Sequence, residues 1–149
     1  MDVLEILLAA DEKIIEKLPE KEIEVTRLSE ACGEPVIFKL RGMPYNRVAE
    51  IKAMASSTET AEEKVDLRIL LAGVVSPNLK SKELQAKFGA PTPAELVKKM
   101  LLAGEIADIS GEIERLSGYR RKTIRDVSQT EEIKKNRRRP RSTADVLSI

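Results

Sequence analysis

From Pro44 to Gly118 the apolar residues recur at three- and four-residue steps, and capping signals cut them into short segments. That period belongs to helices that each bury one stripe. Pro44 stands where a first helical turn accepts proline, and Val48, Ile51 and Met54 follow on one face. A polar break over 55–60 ends this helix. Thr60 and Glu63 then make a capping-box signature ahead of Val65, Leu67, Ile69, Leu70, Leu71, Val74 and Val75. This most apolar helical stretch is the predicted core helix, ended by Ser76-Pro77-Asn78. Ser81 to Gly89 predicts a short amphipathic helix closed by Gly89. Thr92 and Pro93 open the next, with Leu96, Val97, Met100, Leu101 and Leu102 as its buried face. A last helix runs from Gly104-Glu105 through Ile106, Ile109, Ile113 and Leu116 to Ser117-Gly118.

The N-terminal third reads differently. Val3, Leu4, Ile6, Leu7 and Leu8, then Ile14, Ile15 and Leu18, fit one or two short helices, with Asp11 as an N-cap between them and Pro19 as the stop. The period then changes to two. Ile23, Val25 and Arg27 alternate with Glu24, Thr26 and Leu28, and a second β-branched run spans Pro35–Arg41. The connection over 29–34, with Cys32-Gly33, is short enough for a hairpin. Two strands alone bury too little to stand in water, so this hairpin must pack on helices or pair with another chain. The fold class is α+β and mostly α-helical: a helical bundle with a small N-terminal β-hairpin.

Charge divides the chain further. The net charge is only +1, yet residues 1–119 hold 16 basic and 21 acidic side chains, a net of −5. Residues 120–149 hold 10 basic and 4 acidic, a net of +6. The basic residues cluster as Arg120, Arg121 and Lys122 and as Arg137, Arg138, Arg139 and Arg141. Apolar residues are sparse there, which predicts a basic C-terminal tail, flexible when alone. The reading is therefore a domain over 1–119 and a tail over 120–149.

Residue types weigh against catalysis. The chain has no His, so the usual general base and the commonest metal ligand are missing. Ser29, Ser56 and Ser57 have no His to activate them. A single Cys, Cys32, makes neither an internal disulfide nor a Cys-rich zinc site, and a buried or incidental thiol is its default reading. The seven Gly are scattered, with no phosphate-binding loop among them. Glu62-Glu63 and Glu112 with Glu114 lack the spacing of a cation loop. The expectation is no enzyme, no cofactor and no metal. The opening residues carry acids and no basic leader, and no apolar run reaches the roughly 18 residues of a membrane span. These features predict a soluble, cytoplasmic protein that works by contact.

A family resemblance joins these segments. Glu22 to Ser29 and Gly33 to Arg41 resemble the start of XkdN-like phage tail assembly chaperones. So do Leu71 to Lys80, Glu83 to Gly89, Thr92 to Leu96, Leu101 to Ile106 and Leu116 to Tyr119, in order and spacing, across roughly residues 1–119. The resemblance implies a chaperone from a contractile-tailed phage or prophage that acts in the host cytoplasm and is absent from the mature particle. It also implies binding to the tape measure protein, keeping that protein soluble, and help in recruiting tail tube subunits. No catalytic residue comes with it. Contact with a long helical partner calls for apolar grooves or strand edges. Candidate surfaces are the hairpin, at Val25, Val36, Phe38 and Leu40, and the helix pair around Leu96, Met100, Leu101 and Ile106. Helical apolar spacing is the same in a core and in an interface, so both readings stand at this point. Coating a filament also calls for self-association. Two alternatives remain: nucleic-acid binding through the Arg-rich tail, and a structural subunit of the tail.

Overall fold

The computed structural model of the chain describes residues 2–55, 61–119 and 123–127. Two short helices open it, α1 (Val3–Ala9) and α2 (Glu12–Glu16). Asp2 caps the first by accepting from the Glu5 N–H at 2.8 Å, and Asp11 caps the second by accepting from the Lys13 N–H at 2.9 Å. Strand β1 (Glu20–Glu24), helix α3 (Thr26–Cys32) and strand β2 (Ile37–Arg41) follow. The two strands pair antiparallel, from Glu20 opposite Arg41 to Glu24 opposite Ile37.

The pairing agrees with a hairpin, but the connection does not. Val25, Arg27 and Leu28, expected to extend the first strand, instead begin and occupy α3. Ile23 and Val25 both turn toward the core, which imitates period two up to Val25. Beyond it Leu28 and Ser29 follow at helical steps, and Gly33, at φ +75°, closes the helix in the left-handed conformation that glycine adopts without strain. Ser29 ties the loop back by accepting from the Val36 N–H at 2.8 Å.

The remaining helices are α4 (Tyr45–Ala55), α5 (Ala61–Gly73), α6 (Lys82–Lys87), α7 (Pro93–Met100) and α8 (Ala103–Leu116). The predicted core helix is α5, but it stops at Gly73. Val74 and Val75, expected within it, enter strand β3 (Val74–Ser76), which pairs antiparallel with the free side of β2. The resulting sheet has the order β1-β2-β3. Gly73 is the reason for the close approach here. A Cβ at this position would lie 2.5 Å from Ile113 Cγ2 on α8, so only glycine lets α5 and α8 come this near.

The core is one cluster. Phe38 and Leu40 come from β2, Ile69 and Leu70 from α5, Leu96 and Val97 from α7, and Ile109 and Ile113 from α8. Val48 and Ile51 of α4 join it as expected, while Met54 and Leu102, expected on buried faces, are exposed. The Thr92 cap and the first-turn Pro93 form as read, with the Glu95 N–H donating to Thr92 Oγ1 at 3.2 Å. Two buried polar side chains are paired within the fold: Gln85 donates to the Leu79 carbonyl, and Ser110 donates to Asp66. Among the described residues no buried side-chain nitrogen or oxygen lacks a partner. Thr60, proposed as a cap, lies outside the described residues, as does most of the polar break.

Candidate partner-binding surface

The residues singled out for binding are placed mostly inside. Val25, Phe38, Leu40, Leu96 and Leu101 are buried, and Val36, Met100 and Ile106 are half-buried against them. Phe38 and Leu40 project from the sheet into the same cluster that receives Leu96 and Leu101 from the α7 end, so the structure does bring the two groups together. It brings them together as packing. Period alone does not separate the two uses, because a stripe that packs on α8 and one that awaits a partner have the same spacing.

The sheet edges are also poorly suited to docking. β1, at one edge, is Glu-Lys-Glu-Ile-Glu, and only Ile23 is partly buried. Charged edge strands of this kind resist pairing with further strands. β3, at the other edge, is three residues long and runs into Pro77, which has no N–H to donate.

Ion pairs bind the N-terminal third to the helices. Arg27 of α3 reaches the start of α8, donating through Nε and Nη2 to the two Glu105 oxygens at 3.0 and 2.8 Å and through Nη2 to the Met100 carbonyl at 2.9 Å. This two-point geometry matches guanidinium to carboxylate. Glu105 in turn accepts from the Leu102 N–H at 2.7 Å, satisfying a helix-start donor. Lys21 of β1 meets Glu112 at 2.9 Å, and Arg115 pairs with the same carboxylate. Within the sheet Arg41 holds Glu20 at 2.8 Å.

These contacts set an acid response. The Glu105 carboxyl lies below its ordinary 4.5, chiefly through the Arg27 hydrogen bond, with burial opposing and the Leu102 N–H assisting. Glu112 is lowered chiefly by Lys21, and Glu20 chiefly by Arg41. A carboxyl with a depressed native pKa binds fewer protons folded than unfolded in the acid range. Its contribution is therefore present above the ordinary carboxylate range and is lost as pH falls through the lowered value. Urea unfolding followed from pH 7 to pH 3 is expected to show this loss, with a shallower decline in Glu105→Gln. An unchanged pH profile in that variant would refute the assignment.

Among the described residues, exposed apolar side chains are most concentrated on the N-terminal pair of helices. Val3, Leu4, Ile6, Leu7 and Leu8 of α1, with Ile14 and Ile15 of α2, are each between 52% and 77% exposed, and neither helix has a buried residue. The sequence marked these residues as helical but did not single them out as a surface. The signal was present: α1 has one polar side chain, Glu5, so no polar face looks outward. A helix apolar nearly all round is ordinarily buried.

Other site types have less support. Cys32, read as buried or incidental, is exposed. Among the described residues no group of three or more Cys, Asp or Glu is arranged to hold a metal, and no helix is long and apolar enough to cross a membrane. A cavity of about 40 Å³ lies between Met43, Val48, Ile69 and Tyr119, and a groove of about 630 Å³ between Pro77, Asn78, Ser81, Leu84 and Lys87 has the 300–1,000 Å³ size of ligand pockets but is shallow and open to solvent. Arg120, Arg121, Lys122, Arg137, Arg138, Arg139 and Arg141 lie outside the described residues.

Comparison with known proteins adds two findings. Residues 4–134 match a protein family described as phage XkdN-like tail assembly chaperone protein. The match passes the charge step at 119/120 and takes in part of the basic segment. The crystal structure of the protein yqbn is similar, with a TM-score of 0.56 and 22% identity over 74% of this chain and 97% of that one, which shows a shared fold. No curated protein matches the chain.

Proposed function

The chain belongs to the phage XkdN-like tail assembly chaperone family, and from that premise we propose that it binds the tape measure protein, keeps it soluble in the host cytoplasm and helps recruit tail tube subunits. The family match over residues 4–134 carries this reading. The exposed apolar helices at the N-terminus support it, because a protein acting by reversible contact needs accessible apolar surface. Its chemistry is that of binding: recognition by apolar burial and charge, with no catalytic group assigned. In this reading residues 1–119 are the chaperone domain and 120–149 a basic extension, and several copies act together along one tape measure.

Co-expression with the tape measure of the same genome tests the reading. The expected result is a tape measure that stays in the soluble fraction and elutes with this protein. A tape measure equally insoluble with and without it refutes the proposal. A purified mature particle is expected to lack the chain; its presence there would favour a structural subunit.

A further inference from the structure

We propose that α1 and α2 form the client-binding arm of this chaperone, and that its client is an amphipathic helix whose apolar stripe is flanked by Lys and Arg. The proposal rests on the chaperone reading and names the surface and the chemistry through which it would act. Seven large aliphatic side chains stand exposed within residues 3–15. Each offers on the order of 100 Å² of apolar area, so the arm presents roughly 700 Å², close to the ~800 Å² that one partner gives to a standard interface. The helices are seven and five residues long, well below the ~12–15 at which isolated helices become even marginal in water. Their Asp2 and Asp11 caps hold the helix starts, but among the described residues nothing buries a side chain of either helix.

Charge selects the occupant. Residues 2–16 hold five acidic side chains, Asp2, Glu5, Asp11, Glu12 and Glu16, against the single Lys13, a net of −4. Glu12 and Glu16, four residues apart on α2, flank Ile15. A second copy would bring an identical set of acids around the same seam, and like charges at an interface rim oppose association. A helix with basic flanks buries the same aliphatic surface and answers those acids. Recognition of this type lays one amphipathic helix on the apolar face of another element.

The test uses the full chain and two synthetic amphipathic helices with one Leu stripe, flanked by Lys in one and by Glu in the other. Fluorescence anisotropy at low salt is expected to show the Lys-flanked helix binding about tenfold tighter, the effect of a few exposed ion pairs, with the gap closing at high salt. A Leu4→Ser, Leu8→Ser, Ile15→Ser variant keeps every charge and is expected to lose that binding at least tenfold while melting as the wild type does. Charge reversal by Glu12→Lys with Glu16→Lys is expected to turn the preference toward the Glu-flanked helix. Undiminished binding by the serine variant overturns the proposal. So does a wild-type dimer that the serine substitutions convert to monomer, since a second copy would then be the occupant. Co-expression separates this inference from the function itself. If wild type and serine variant both solubilise the tape measure, the arm is refuted and the chaperone stands. If neither does, the function fails and the peptide titration alone decides the arm.

Discussion

Replacing Leu40 by Ala is expected to destabilise the protein by about 2–5 kcal/mol, read as a lower urea midpoint with an unchanged slope. Leu40 is fully buried on β2, the central strand of the sheet, which pairs with β1 on one side and β3 on the other. Truncation removes the transfer free energy of its methyl groups and leaves a cavity that neighbours such as Phe38 and Ile113 fill only in part. Against a total stability of roughly 5–15 kcal/mol for a domain, a loss of this size is severe. The same experiment distinguishes packing from partner contact. A Leu40 that served an interface would lose binding and keep its stability, whereas Leu4→Ser in α1 should change stability by less than about 0.5 kcal/mol because the side chain is already exposed. A Leu40→Ala protein that unfolds at the wild-type urea concentration would contradict the core assignment.

Gly42→Ala is expected to be comparably damaging, by about 2–3 kcal/mol, for a different reason. Gly42 donates its N–H to the Pro19 carbonyl at 2.9 Å, and the next residue, Met43, donates to Ser117 Oγ at 2.8 Å. The end of β2 is thereby pressed onto the end of α8. A methyl on Gly42 would overlap the Leu116 carbonyl oxygen and come within 2.7 Å of its carbon. These are backbone atoms at the close of a helix, and they have no alternative rotamer. The small gain from a stiffer unfolded chain, about 0.4–1 kcal/mol for a Gly→Ala change, does not offset the overlap. Gly111 provides the contrast. It lies inside α8 with open space where a Cβ would stand, so Gly111→Ala should stabilise by up to about 1 kcal/mol through helix propensity. Thermal melts of the two variants should move in opposite directions. A Gly42→Ala protein as stable as wild type would show that the ends of β2 and α8 are not in this contact.

Much of the secondary structure was legible because its signals are local. The caps at Asp11 and Thr92, the first-turn Pro93 and the closing glycines at 89 and 118 act within four residues of themselves. Their elements stand where those residues put them. The misreadings lie where distant partners decide. Thr26–Cys32 carries alternating residues but is a helix, and its Arg27 holds Glu105 and the Met100 carbonyl more than 70 positions away. Val74 and Val75 continue a helical apolar run but leave it for β2, a strand more than 30 positions away. The candidate binding residues went inward for the same kind of reason. Leu96 and Leu101 join the cluster that holds Phe38 and Leu40 only once the chain has folded back on itself.

The sequence by itself determined that the chain is mostly helical, where most helices begin and end, that acids outnumber bases over 1–119 and bases outnumber acids over 120–149, and which family it joins. Those properties depend on composition, order and short-range steric and hydrogen-bonding preferences. The tertiary structure alone decided which apolar stripes are covered. Burial depends on what arrives from elsewhere in the chain: β2, α5, α7 and α8 found one another, and α1 and α2 found nothing among the described residues to bury them. The leucines of the core and those of the N-terminal arm share one helical spacing, and only their surroundings distinguish a side chain that holds the fold from one that awaits a partner.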